Sequence, residues 1–182
     1  MLGRDRRQER REERHGGDGA PANCFQMREK LVSIGDDFWI ENGAGQRAYK
    51  VDCKALRVRD TLTIRDAQGT EVAKIQERMI NIRDTMKIER PGKPEATVKK
   101  DLISPLRERY VLEAGDVGEI DIQGNIVDHE YTFEQHGQKV AETSKRWFRV
   151  RDTYGVEIAP GQDEALILAA TVVIDQMSHD VG

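Results

Sequence analysis

Residues 69–89 read GTEVAKIQERMINIRDTMKIE, and residues 137–157 read GQKVAETSKRWFRVRDTYGVE. The two stretches align without a gap at an offset of 68 residues, which sets Gly69, Val72, Ala73, Arg78, Arg83, Asp84, Thr85 and Glu89 on Gly137, Val140, Ala141, Arg146, Arg151, Asp152, Thr153 and Glu157. Identity of this extent inside one chain marks one supersecondary unit used twice, so two related halves are expected. The triplet Arg-Asp-Thr occurs once more, at Arg59, Asp60 and Thr61, again after an alternating apolar run.

Outward from these stretches the chain is a series of short alternating segments, among them Phe38 to Ile40, Leu62 to Ile64, Val72 to Ile75, Met79 to Ile82, Val111 to Leu112 and Trp147 to Val150. They are separated by turn signals at Asn42-Gly43, Gly69, Pro91-Gly92, Gly115-Asp116, Gly124-Asn125 and His136-Gly137. Period-two runs of β-branched and aromatic residues between such signals predict an antiparallel all-β domain, and no strand-helix alternation suggests a parallel sheet. The last segment differs. After Pro160-Gly161, Asp163 is placed to cap a helix over Glu164 to Met177, although the β-branched stretch Thr171 to Ile174 also suits a strand. Ala165 to Ile174 is apolar on every side, so a helix there must be buried all round. With strands as its only company, it predicts a barrel around a helical plug.

The triplets carry a register. Leu56, Val58, Asp60, Leu62 and Ile64 share one face, with Arg57, Arg59 and Thr61 on the other; Asp84 falls in phase with Ile82 and Met86, and Asp152 with Val150 and Tyr154. A carboxylate in phase with core residues must find donors. The expected donors are backbone N–H groups of a turn or bulge, which makes the triplets a structural repeat. The alternative is that the three carboxylates converge as a metal or general-acid site.

Composition bounds the rest. A chain of 182 residues holds one domain, with residues 27–182 as the barrel and residues 1–26 as a disordered charged extension. Residues 1–20 carry six arginines against five acids and almost nothing apolar, which fits neither a transit peptide nor a secretory signal. Met27 opens the first ordered-looking segment and is a candidate start. Cys24 and Cys53 read as reduced thiols of a cytoplasmic protein. The apolar run Ala165 to Ile174 is far short of the roughly 20 residues of a spanning helix. A net charge of −4 gives no general attraction to nucleic acid.

Several motifs together carry a family likeness. They are Met27-Arg28-Glu29-Lys30-Leu31 leading into Asp36-Asp37-Phe38-Trp39-Ile40, Leu56-Arg57-Val58-Arg59-Asp60-Thr61-Leu62, Ser104-Pro105-Leu106, Gly124-Asn125 before Asp128-His129-Glu130-Tyr131, and the apolar segment after Asp163. Over about Met27 to Asp180 the chain resembles the LURP-one-related family, whose domain is like the Tubby C-terminal domain. The resemblance implies a closed barrel of about twelve antiparallel strands around a central C-terminal helix, in agreement with the residue-level reading. It also brings in a lipid, since Tubby-like domains bind phosphoinositide headgroups at a basic surface and the related scramblases act at membranes. No residue of that surface carries over by motif.

The candidate anion site is Lys87 to Arg109, with seven basic residues (Lys87, Arg90, Lys93, Lys99, Lys100, Arg107, Arg109) against four acids (Glu89, Glu95, Asp101, Glu108) and a local charge of +3. Arg90, Lys93, Lys99 and Lys100 are the residues assigned to a headgroup, each lysine near an anionic surface adding about 1 kcal/mol. An ordinary solvated face is the competing reading. Asp128-His129-Glu130 suggests a metal, but neighbours on a strand point to opposite faces, and His15, His136 and His179 have no ligand spacing. Trp39 and Trp147 read as core or rim residues. Ser33, Ser104, Ser144 and Ser178 lie in no nucleophile elbow, so no catalytic residue and no cofactor is assigned. The function expected is a non-enzymatic binding module for an anionic lipid headgroup or a protein, peripheral at the cytosolic membrane face. The alternatives are a metal-dependent or hydrolytic enzyme using the triplet aspartates, a protein-interaction scaffold without lipid binding, and a carrier with its ligand inside the barrel.

Overall fold

The computed structural model describes residues 23–28, 37–56, 59–77, 85–101, 108–147 and 153–179, with the side chains of 54–60, 77 and 179 set aside. Twelve strands follow one another: β1 (Cys24–Arg28), β2 (Phe38–Asn42), β3 (Arg47–Leu56), β4 (Arg59–Asp66), β5 (Glu71–Glu77), β6 (Thr85–Glu89), β7 (Ala96–Asp101), β8 (Arg109–Ala114), β9 (Gly118–Asn125), β10 (Glu130–Gln135), β11 (Gln138–Ser144) and β12 (Thr153–Ile158). A 3-10 turn (Lys145–Trp147) precedes β12, and helix α1 (Glu164–His179) is the last described element. Each strand pairs antiparallel with the next, and β1 pairs with β12 to close the ring. Closure gives every strand a paired neighbour on both sides, so no strand stands at the end of a sheet.

Alternation decides which face looks inward. Ile40, Val51, Ile64, Ile75, Ile88, Val98, Leu112, Ile122, Phe133 and Val156 are all fully buried, one or more from nearly every strand. The space they enclose is occupied by α1, in which every residue from Leu166 to Asp175 is at most 1% exposed. The apolar run Ala165 to Ile174 of this helix is thus matched by a wall on every side. Its start is set by Asp163, whose Oδ1 accepts from the Leu166 N–H at 3.0 Å while its backbone carbonyl accepts from Ile167 N–H at 3.0 Å.

The sequence repeat maps onto geometry. The β4–β5 hairpin shifts register between Ile64 and Arg65, leaving Val72 as the extra residue of a bulge. The β10–β11 hairpin does the same between Phe133 and Glu134, with Val140 as the extra residue. Val72 and Val140 are aligned partners at the 68-residue offset, and their strands lie six apart in a ring of twelve. A bulge re-aims and bends its strand, so the repeat places two equivalent bends on opposite sides of the barrel. Gly69 and Gly137, also aligned, take φ of 84° and 75° in the two hairpin turns.

The two rims differ. Turns 43–46, 67–70, 90–95, 115–117 and 136–137 close the rim where α1 enters. The other rim receives the end of α1 and the turn Ile126–His129. Arg59, Thr85 and Thr153, one from each triplet, open β4, β6 and β12 there. Thr61, Thr85 and Thr153 are buried, at 6%, 7% and 8% exposure, although they share the face opposite the core.

Several boundaries need correcting. The barrel begins before residue 27, because Cys24, Phe25 and Gln26 pair with Glu157, Val156 and Gly155 of β12. Trp147 lies in the 3-10 turn and not in a strand, and α1 runs to His179. Residues 1–22, Met79 to Ile82, Arg83, Asp84, Ser104 to Leu106, Phe148 to Asp152 and the side chains of Arg59 and Asp60 lie outside the described residues.

Candidate functional site

The four cations assigned to a headgroup do not form one open patch. Arg90 is buried at 5% exposure. Its guanidinium donates to both Asp116 oxygens at 2.5 and 3.1 Å, to Asp163 Oδ2 at 2.8 Å and to the Pro94 carbonyl at 3.2 Å. Burial disfavours the charge, but the hydrogen bonds Arg90 donates to the two aspartates outweigh it and hold the guanidinium above its ordinary pKa. Arg90 therefore clamps the β6–β7 turn, the β8–β9 turn and the helix start, and its remaining donor, Nε, is buried, so no open donor face is left for an anion. Lys93 also donates to Asp163. Lys99 reaches both oxygens of Glu113 at 2.8 and 2.9 Å, and Lys100 reaches Glu108 at 3.0 Å while lying 5.8 Å from the Tyr110 ring centre. The charge of +3 counted along the window is offset by acids from outside it.

At the other rim the interior is polar. Gly124 takes a φ of 146°, and a Cβ there would stand 2.5 Å from the Glu130 carbonyl and 2.6 Å from Tyr131 Cα, so only glycine lets β9 approach β10 this closely. Asn125 then fixes the turn, accepting from Asp128 N–H at 3.1 Å and donating to the Asp128 carboxylate at 2.6 Å. This puts His129 in the left-handed region, φ 53°, and turns its ring inward. Its Nδ1 lies 3.3 Å from Asp175 Oδ1, and its ring stacks on Tyr154 at 4.2 Å and 7°. The Tyr154 hydroxyl donates to the other Asp175 oxygen. Tyr131 is wholly buried beside them, and burial, then the Asp175 charge, push its hydroxyl pKa far up. A carboxylate near the C-terminal end of a helix is opposed by the helix dipole, and the hydrogen bond donated by Tyr154 offsets part of that cost. With His129 at 4% and Asp175 at 1% exposure, the pair meets no solvent-borne substrate and pins the helix to the wall.

Asp128, His129 and Glu130 consequently go three ways. Asp128 stays in its turn, His129 points inward, and Glu130 accepts from Ser144 Oγ at 2.9 and 3.0 Å and from Lys145 N–H at 3.1 Å. Among the described residues no group of three or more His, Cys, Asp or Glu is placed to hold a metal. Thr85 and Thr153 open β6 and β12, which lie six strands apart in the ring.

A second feature lies on the outer wall. β1 pairs with β12 over all five of its residues but with β2 only through Phe25–Asn42 and Gln26–Glu41. Beyond those pairs a cleft of about 350 Å³ opens, bordered by Gln26, Arg28, Trp39, Glu41 and Arg47. Trp39 stands between inward-facing Phe38 and Ile40, so its half-buried indole looks outward. The Arg47 guanidinium lies over it, 4.9 Å from the ring centre. Asp37, also at the cleft, is already engaged by Lys50 at 2.7 Å and Cys53 N–H at 3.1 Å. The Lys50 hydrogen bond outweighs desolvation and holds its carboxyl below the ordinary range. Sequence reasoning missed this grouping, since Arg28, Trp39 and Arg47 form no linear motif and meet only through strand neighbours.

The comparisons with known proteins bear on the fold. The X-ray structure of a protein from Arabidopsis thaliana superposes with a TM-score of 0.59 at 16% identity, covering 87% of this chain and 94% of that one. The comparison with curated proteins yields no match. A family model described as LURP-one-related matches residues 23–175, from the residue before β1 to the carboxylate that meets His129. The chain belongs to the LURP-one-related family.

Proposed function

We propose that the protein is a non-enzymatic binding module that meets an anionic partner, a lipid headgroup at the cytosolic membrane face, on the outside of its barrel. One observation carries this reading. Ten consecutive helix residues, Leu166 to Asp175, are at most 1% exposed, so the volume a carrier or barrel enzyme would use is filled by the chain itself. Recognition is left to the outer wall and the rims. No helix among the described residues is long and apolar enough to cross a membrane, which fits peripheral contact.

The test is co-sedimentation of the full chain with phosphatidylcholine, phosphatidylserine and phosphoinositide vesicles at low and high salt. Binding to the anionic vesicles that weakens with salt is expected, because charge attraction at a surface is screened over about 10 Å at 0.1 M salt. Absence of binding at low salt refutes the headgroup and passes the search to a protein partner.

A further inference from the structure

Arg65, Arg109 and Arg146 each lie within reach of a carboxylate, at 3.0, 3.1 and 3.7 Å, and Arg90 is paired with two. Two described arginine side chains differ. Arg28 and Arg47 make no ion pair among the described residues, and both border the cleft beside β1 and β2. Arg47 sits directly across from Glu41 in the β2–β3 register, yet lies on Trp39 and forms no pair with that carboxylate. The wall thus holds two unmatched guanidinium forks at one concave place.

We infer that this cleft is an anion site, and that its ligand is a phosphate monoester. A carboxylate is satisfied by one fork, whereas a phosphate monoester carries about −1.5 to −2 charge and three acceptor oxygens, which two forks can share. The volume of about 350 Å³ suits a small group and not an extended chain. Gln26, on the same outer face of β1, adds amide donors. Glu41 borders the site and is matched by no described cation, so it opposes the ligand and sets a ceiling on affinity. Trp39, in contact with Arg47, reports on the site optically. The inference deepens the headgroup reading above by giving it a location, and it also admits a soluble phosphate ester.

The experiment is a fluorescence titration of the full-length protein in a Trp147→Phe background, so that Trp39 is the emitter, with inorganic phosphate as one probe. Phosphatidylcholine vesicles with and without phosphatidic acid are the other. A saturable change is expected, weakened roughly tenfold or more by Arg28→Gln or Arg47→Gln, the loss of one charge-assisted contact. Glu41→Gln is expected to tighten it. These side chains are outward-facing, so the melting temperature of each variant should match the parent. Response to phosphate alone assigns a soluble ester, and response to phosphatidic acid vesicles assigns a headgroup. No saturable change with either probe, or a change indifferent to all three substitutions, overturns the site. Vesicle co-sedimentation that survives both arginine substitutions would leave the headgroup module standing and remove the cleft from it.

Discussion

Replacing Arg90 by methionine keeps most of the side-chain volume and removes a guanidinium whose side chain is 2% exposed. Four hydrogen bonds are lost, three of them to carboxylates. Removing one partner of a buried pair costs about 3–5 kcal/mol. Here Asp163 keeps Lys93 and the Leu166 N–H, and Asp116 is 26% exposed, so water can reach the stranded charges and the low end applies. We expect about 3 kcal/mol, which for a domain of this size corresponds to a loss of roughly 6–12 °C in melting temperature. The pH dependence is a second readout. The Arg90 hydrogen bond holds the Asp116 carboxyl below its ordinary range; Asp163 is also lowered, because Lys93, the Leu166 N–H and Arg90 together outweigh its burial. A depressed carboxyl stabilises the fold above its unfolded pKa, about 3.9, and that contribution is lost as pH falls through the lower folded value. The gap between wild type and Arg90→Met should therefore be full at pH 6 and shrink in acid. Urea unfolding across that range measures it. A variant within about 1 kcal/mol of wild type, or a gap that does not change with pH, refutes the clamp.

Tyr154→Phe should cost about 1–3 kcal/mol in urea unfolding, because it strips a hydroxyl donor from the buried Asp175 carboxylate. Gly69→Ala, at φ 84° with open space around it, should cost roughly 1–2 kcal/mol, whereas Gly124→Ala must also displace backbone at 2.5 Å and should cost clearly more in the same assay. A chain starting at Met27 loses Phe25 from the core and should melt several degrees below a chain starting at Asn23, since burying such a side chain contributes about 1.5–3 kcal/mol. Burial and then the Glu157 charge push the Cys24 thiol up to about 12, so at pH 8 it should resist alkylation until the protein unfolds; rapid labelling in native buffer would show that β1 is not held.

The barrel was legible because local chemistry repeats. Aligned Val72 and Val140 are equivalent bulges, aligned Gly69 and Gly137 are equivalent turns, and the apolar run after Asp163 is the plug. Strand β1 escaped notice since Cys24 and Phe25 are its only apolar residues ahead of Met27, side by side between Asn23 and Gln26, too few to show alternation. Charge was the harder case. The window Lys87 to Arg109 looked basic along the chain, but Lys99 is neutralised by Glu113 across the sheet, and Arg90 by Asp116 and Asp163, 26 and 73 residues away. Net charge in a linear window ignores partners supplied by pairing. The same blindness hid Arg28, Trp39 and Arg47, which share a cleft only because β1, β2 and β3 are adjacent.

The order in which the chain leaves the ribosome runs against the order in which this architecture needs its parts. The strand that seals the wall is the first made and its partner the twelfth, with Cys24 meeting Glu157, and the filler of the enclosed space comes later still. Until α1 has been synthesised, the inward faces of all twelve strands have nothing to rest on. Eleven of the twelve strand pairings join consecutive strands and only that of β1 with β12 is long-range, so half-finished forms with the ring still open expose sticky surface. A nascent chain halted before Glu164 is a wall without contents, so the hazard in making this protein is concentrated in the interval before its final 16-residue helix emerges.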